Sequence, residues 1–279
     1  MQLAHHNPRR IYLAARTESK ARDAIASIQR ELASPAADIR YLPLDLSSFA
    51  SIESAAEQFA GENERLDILV LNAGIMGQPA VTTPDGYEIQ FGTNHVGHFL
   101  FTKLLLPVLS KTSALPGADV RVVSLTSLAS GTAPGARADF LELACSTPKL
   151  LALSTWQRYA VSKAANILFA AELARRHPEI MSVSVHPGVV ASGLYNSTEA
   201  THAAARYSLP VAKNLFFRDV PSGALNQLWA AAGATRTELV PGGYYTAVGY
   251  VSRWNRYATD QELARKLWEW TDKETEKAV

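Results

Sequence analysis

Tyr159 and Lys163 stand four residues apart in the run Thr155-Trp-Gln-Arg-Tyr-Ala-Val-Ser-Lys163. On an α-helix that spacing places a phenol and an ammonium on one face. A free phenol has a pKa of about 10 and exchanges protons poorly at neutral pH. A neighbouring cation favours the phenolate, which makes the tyrosine a workable general acid or base. Alone, the pair equally describes a tyrosine packed on its helix beside a solvated lysine. Other polar groups follow β-rich runs. Ser127 closes Val122-Val-Ser-Leu-Thr126, where a hydroxyl could bond a substrate carbonyl. Asn72 and Gly74 close a run ending Leu69-Val-Leu71, and a glycine there lets a ligand approach the backbone. Asp45 ends another run, and Pro187-Gly188 with Val190 and Ser192 ends a further one. Singly, each reads as turn or capping chemistry. Together, in chain order and each after a strand, they point to a site.

The elements that must hold these residues alternate in hydrophobic period. Strand-like runs fall at 10–15, 39–44, 66–72, 120–125 and 181–186, with a weaker one at 243–246. Helical stretches lie at 19–33, 48–62 (with Ser47 as its expected N-cap), 87–111, 155–177 and 260–273. Short strands alternating with longer helices predict repeated βαβ units, hence an α/β fold with a mostly parallel sheet covered on both faces. Ligands of such sheets sit beyond the carboxyl ends of the strands, where the polar residues above are found. Residues 130–154 and 192–221 read as irregular, and with the rest of 192–279 they are expected to form the substrate side of one domain.

Composition excludes several classes. The 27 basic and 26 acidic residues leave a net charge of +1, without the basic excess that nucleic-acid binding requires. No apolar run reaches the roughly 18–20 residues that span a bilayer. The single cysteine, Cys145, forms no internal disulfide and suits a reducing, cytoplasmic compartment. His95 and His98, three apart, lack a third ligand cluster, so no metal is expected. Tyr244 and Tyr245 are candidates for an apolar substrate wall, and Asn196-Ser-Thr198 is a glycosylation pattern.

The set of motifs resembles the short-chain dehydrogenase/reductase family. Tyr159 and Lys163 match its Tyr-x-x-x-Lys, Ser127 its serine, Asn72-Ala-Gly74 its Asn-Ala-Gly, Pro187-Gly188 its Pro-Gly turn and Asn94 its helix asparagine. The wording Asn94-His-Val-Gly-His98 and Leu267-Trp-Glu-Trp270 look most like the branch of retinol dehydrogenases and WW-domain oxidoreductases. The resemblance implies a doubly wound, Rossmann-type sheet and a nicotinamide-dependent enzyme acting on a small-molecule carbonyl or alcohol, with a homodimer through the long helices. It implies Tyr159 as acid or base, Ser127 holding the same oxygen, Lys163 binding the nicotinamide ribose and Asn94 supporting a relay water. It further implies cofactor contacts at Asp45, Asn72, Gly74, Lys103, Val190 and Ser192. Arg16, followed by Thr17, ends the first strand with no carboxylate beside it; an arginine at that place accommodates the 2′-phosphate of NADP(H).

One family motif is absent. The glycine-rich turn between first strand and first helix has no counterpart, and the first glycine is Gly61. Met1–His6 resembles only the tail of that first helix, so the family's first strand is expected to be missing between the strands ending at Arg16 and Asn72. An upstream start is favoured over true loss. The alternative function is a non-catalytic, cofactor-poor binding protein that keeps the tyrosine–lysine pair as a relic.

Overall fold

The computed structural model of the chain describes residues 1–6, 8–32, 37–135, 137–188, 190 and 219–276. A short 3-10 turn, Gln2–His6, leads into β1 (Ile11–Ala15), α1 (Glu18–Glu31), β2 (Ile39–Pro43), α2 (Phe49–Glu62) and β3 (Ile68–Leu71). A long helix follows in three parts: α3 (Ile89–Phe91), one π-helical turn (Gly92–Val96) and α4 (Gly97–Ser113). Next come β4 (Arg121–Leu125), a 3-10 turn (Leu128–Thr132), α5 (Arg137–Ala144), α6 (Thr147–Leu151), α7 (Thr155–Arg176) and β5 (Met181–Val185). The C-terminal part carries α8 (Val220–Leu228), β6 (Tyr244–Ala247), β7 (Tyr250–Val251) and α9 (Gln261–Glu276).

The expected Rossmann-type α/β architecture is present. Strands β3, β4, β5 and β6 run parallel in that order, and the two-residue β7 adds an antiparallel edge that periodicity did not reveal. Strands β1 and β2 pair parallel to each other as a separate ribbon. Among the described residues no strand joins β1 to β3. An apolar cleft of about 220 Å³ lies along β1, lined by Leu3, Ile11, Leu13, Ile28 and Leu228.

Alternation along β4 builds two cores from one strand, because successive side chains leave a strand on opposite faces. Val122 enters the larger core with Phe99, Leu105, Ile167 and Trp268. Val123 and Leu125 enter the smaller one with Val183, Ala231, Leu239 and Tyr245. Helix α7 is buried along most of its length. Its small residues Ala160, Ala164 and Ala165 let it lie close to the strands, and a capping box between Ser154 and Gln157 fixes its start.

Four local expectations need correction. The N-cap of α2 is Ser48, whose side chain accepts from Ser51 N; Ser47 is instead held by Asp45. The region 130–154 contains α5 and α6, whose apolar residues Phe140, Ala144 and Leu150 are buried, so it is a folded cover and not an open loop. The helix expected at 87–111 starts later and carries the π-turn. Tyr244 and Tyr245 lie fully buried in opposite cores, with the Tyr245 hydroxyl accepting from Val240 N, so packing is their role.

Gly97 lets the start of α4 pass closely against the chain leaving β2. A Cβ there would collide with the backbone carbonyl of Leu46, just beyond β2. Backbone cannot yield as a flexible side chain does, so Gly97→Ala should destabilise by about 1–3 kcal/mol. A lowered urea midpoint with an unchanged slope would verify this, and an unchanged midpoint would contradict it.

Candidate active site

The end of β4 and the middle of α7 are zipped together by polar side chains. The Leu125 carbonyl accepts from Lys163 Nζ and from Asn166 Nδ2, each at 3.0 Å. Thr126 Oγ1 donates to the Lys163 carbonyl at 2.6 Å. The 3-10 turn opened by Ser127 then packs along α7, with the half-buried Ser127 hydroxyl accepting from Ala129 N. Tyr159 lies one turn before Lys163, and the ammonium stands 5.9 Å from the centre of its ring. The i, i+4 reading is therefore realised, with the lysine buried rather than solvated. Burial pushes its pKa down to about 8.

The π-turn brings Asn94 to the same place. Such turns interrupt the regular helix and recur at functional sites. Asn94 is buried, its Oδ1 accepts from Ile75 N at 2.8 Å, and its Nδ2 donates to Ile75 O and to Ser162 Oγ. Ser162 Oγ in turn donates to the Tyr159 carbonyl. Gly74 completes the corner, since a Cβ on it would stand 3.3 Å from both Asn94 Oδ1 and Lys163 Nζ. The backbone after β3 is thus laid directly over the ammonium.

The remaining expected residues divide. Arg16 and Thr17 are exposed at the carboxyl end of β1. Arg16 has no ion-pair partner among the described residues, and Thr17 makes no capping bond to α1. Asn72 is exposed at the end of β3, its N–H bonded to the Val70 carbonyl. Asp45 turns its carboxylate to Ser47 N and Oγ at 3.0 and 2.6 Å, stabilising the entry to α2. Lys103 corrects its expected role: its ammonium is paired with Asp272 of α9 at 2.6 Å. Val190 rests its methyl groups on Gly223 of α8, so its side chain serves packing. Ser192 and Asn196 lie outside the described residues.

Sequence reading missed a buried clamp beside the tyrosine. Arg158 meets Glu88 at 2.9 Å and donates to the carbonyls of Leu153 and Gln78, each at 2.6 Å. Thr155 Oγ1 donates to the same Gln78 carbonyl, and Gln90 Nε2 to the Thr155 carbonyl. The start of α7 is so fixed against the segment after β3. Ionised pairs of this kind leave no periodic signal. His95 and His98 are likewise used internally: His95 Nε2 meets Thr271 Oγ1 at 3.1 Å, and His98 Nδ1 meets the Asn94 carbonyl at 2.9 Å.

A doubly wound sheet with a tyrosine, a buried lysine, a serine and an asparagine converging at its carboxyl edge defines the class, a Rossmann-type oxidoreductase. A family model described as short chain dehydrogenase matches residues 2–136. An uncharacterized oxidoreductase of Schizosaccharomyces pombe is 38% identical over 273 residues, covering 95% of this chain and 77% of that protein. A short-chain dehydrogenase/reductase of Armillaria gallica is 35% identical over 94% of this chain and 81% of its own length. Among solved structures, an uncharacterized protein from Mycobacterium Paratuberculosis is similar with a TM-score of 0.67 and 27% identity, over 95% of this chain and 84% of that one. The chain belongs to the short-chain dehydrogenase/reductase family.

Burial of Lys163 has a thermodynamic consequence. Burial holds the lysine down to about 8 in the folded chain, against an ordinary value of 10.5. Between those values the unfolded chain holds the extra proton, so stability rises with pH across that window. In Lys163→Met the Leu125 carbonyl keeps its bond from Asn166. That variant should therefore gain about 1–3 kcal/mol at neutral pH and lose the rise at alkaline pH. Denaturation at pH 7 and 9.5 reads both effects, and a destabilised variant at neutral pH would overturn the argument.

Proposed function

We propose that this chain interconverts a carbonyl and a hydroxyl on a small or medium apolar substrate, with NADP(H) as its redox partner. The observation that carries this reading is the buried ammonium of Lys163 beside Tyr159, on the helix face turned to Gly74 and Asn94. In the reducing direction Tyr159 donates its proton to the carbonyl oxygen, while the Ser127 hydroxyl donates a hydrogen bond to that oxygen. Lys163 favours the phenolate that remains. In oxidation the same groups act in reverse. The cofactor supplies or takes the hydride when bound.

The residues fit its nicotinamide end. Gly74 brings bare backbone against Lys163 and Asn94, so a sugar bound at that corner would meet the lysine, the asparagine and main chain together. Arg16, exposed and free of any carboxylate partner among the described residues, suits a 2′-phosphate. The reading of an apolar substrate draws on a cleft of about 280 Å³ with Leu128, Pro187, Leu225 and Val248 in its wall and His186, Ser222, Asn226 and Thr246 as its polar members. A cytoplasmic, single-domain protein that pairs with itself through its long helices completes the proposal.

A second reading, a non-catalytic member that acts by binding, is favoured by one observation. The ribbon β1–β2 is not joined to β3 by any described strand, and no glycine-rich turn occurs before Gly61. A backbone cradle for the pyrophosphate is therefore lacking from the described residues. Fluorescence titration of the purified chain with NADPH and NADH separates the two. Micromolar NADPH binding with weak NADH binding supports the enzyme, and no binding by folded protein supports the relic.

Two variants test the mechanism. Tyr159→Phe should reduce turnover of a carbonyl substrate by about 10²-fold or more while NADPH affinity is unchanged; retained turnover would remove Tyr159 from the chemistry. In the wild-type enzyme kcat/KM for reduction should fall above about pH 8, where Lys163 loses its charge. Arg16→Asp should weaken NADPH by about tenfold or more and leave NADH nearly unaffected, because only the former carries the 2′-phosphate. Equal losses for both nucleotides would refute the preference.

A further inference from the structure

The Ser127 hydroxyl has a single hydrogen to give and lone pairs to receive with. One lone pair is taken by Ala129 N at 3.2 Å. A hydroxyl that accepts there keeps its hydrogen for a group outside the turn, the polarity that donation to a substrate oxygen requires. That polarity lasts only while the 3-10 turn Leu128–Thr132 stays closed on Ser127. Ser130 closes it, because its N–H and its Oγ both donate to the Ser127 carbonyl, at 3.0 and 2.6 Å. Ser130 is fully buried, and its own oxygen accepts from 125 residues away, from Asn255 Nδ2 at 2.8 Å.

The Asn255 amide has a determined orientation. Its Oδ1 accepts from Tyr257 N at 3.0 Å, so Nδ2 is the end that faces Ser130. Arg256 Nη2 donates to the carbonyl of Ala133, at the far end of the serine turn, and its guanidinium lies 4.8 Å from the ring centre of Tyr257. That ring is buried against Phe140 of α5. The C-terminal turn Arg256–Ala258 is thus anchored in the core, and with Asn255 it grips the serine turn at both ends. Both turns pack against α7, which carries Tyr159.

We propose that Asn255 is a positioning residue for Ser127: through Ser130 it keeps the turn closed, so that Ala129 N occupies the serine oxygen and leaves its hydrogen for the substrate carbonyl. This rests on the reading of Ser127 given above. Asn255→Asp isolates the effect. A carboxylate still accepts from Tyr257 N and so preserves the C-terminal turn, but it cannot donate to Ser130. The Ser130 hydrogen then turns to the carboxylate, the stronger acceptor, and the Ser127 carbonyl loses the shorter of its two bonds from Ser130.

The test reads the Ala129 amide directly, by hydrogen exchange on ¹⁵N-alanine-labelled protein, its resonance assigned by its loss in Ala129→Gly. Ser127→Ala, which removes the acceptor, gives the exchange rate of the unheld amide. Asn255→Asp should raise Ala129 exchange by about tenfold or more, toward that rate, while the alanines buried in α7 exchange as in the wild type. A role confined to capping its own turn would leave Ala129 unmoved, because aspartate keeps that cap. A folded Asn255→Asp within about twofold of the wild-type rate therefore overturns the proposal, as does a wild-type Ala129 that exchanges as fast as in Ser127→Ala. Should Asn255→Asp fail to fold, Ser130→Ala, which removes the relaying hydroxyl, decides by the same rise or its absence. Reduction of benzaldehyde with NADPH separates the underlying reading. Wild-type turnover in Ser127→Ala, with a responsive Ala129, would reject Ser127 in the chemistry and leave its positioning by Asn255 standing.

Discussion

The arrangement depends on keeping one ammonium charged inside the protein. Removing a charge from water is costly unless hydrogen bonds and polar neighbours replace the solvent. Lys163 donates one hydrogen bond, to the Leu125 carbonyl, at the edge of a sheet whose strands β4 and β5 are wholly buried. Its lowered pKa is the measure of incomplete compensation. Folding energy from the two apolar cores holds it there, so the site stands on stability gained elsewhere in the molecule. A buried, poised lysine is a poor structural choice and a good chemical one, since it biases a neighbouring phenol without being solvated away.

That requirement organises the elements around it. The π-turn places Asn94 where a straight helix would carry it past, and the glycine at 74 lets the strand-end backbone close over the lysine. Arg158 and Glu88 hold the start of α7 against the segment after β3, so the tyrosine one residue later has a fixed approach. Because Arg158 also bonds two carbonyls, its charge is shared among several oxygens rather than balanced by Glu88 alone. Burial raises the Glu88 carboxyl, which makes the clamp another place where packing energy supports polar geometry.

Much of this was legible from residues alone. Short β-rich runs marked all six strands of four or five residues within about two residues, the weaker run at 243–246 included, because a doubly covered parallel sheet demands continuous apolar runs that a sequence displays openly. Tyr159, Lys163, Ser127, Asn94 and Gly74 were named from spacing and resemblance; Tyr159, Asn94 and Gly74 lie around Lys163, and Ser127 follows the end of β4. What remained hidden was pairing. Lys103 and Asp272 lie far apart in sequence and meet only when α9 docks. Asp45 reads as a ligand-facing carboxylate, yet its hydrogen bonds to Ser47 are local turn chemistry that any strand end could carry. The antiparallel β7 is two residues long, too short for any period to register.

The division of the sheet separates two properties that a single site normally joins. Tyr159, Lys163, Ser127, Asn94 and Gly74 all belong to the five-stranded part and the helices packed on it, so the groups proposed for proton transfer stand on a continuous core. Arg16 and Thr17 belong to the ribbon β1–β2, anchored through α2 and through the close passage of Leu46 beneath Gly97. The ring contact of Tyr12 with Phe59, at 5.0 Å, and the bond of its hydroxyl to Glu62 add a second anchor on α2. The groups proposed for chemistry and for cofactor discrimination therefore rest on different interfaces. Loosening of the ribbon would weaken nucleotide affinity while leaving the tyrosine–lysine geometry intact, since no bond that positions Lys163 originates in β1 or β2.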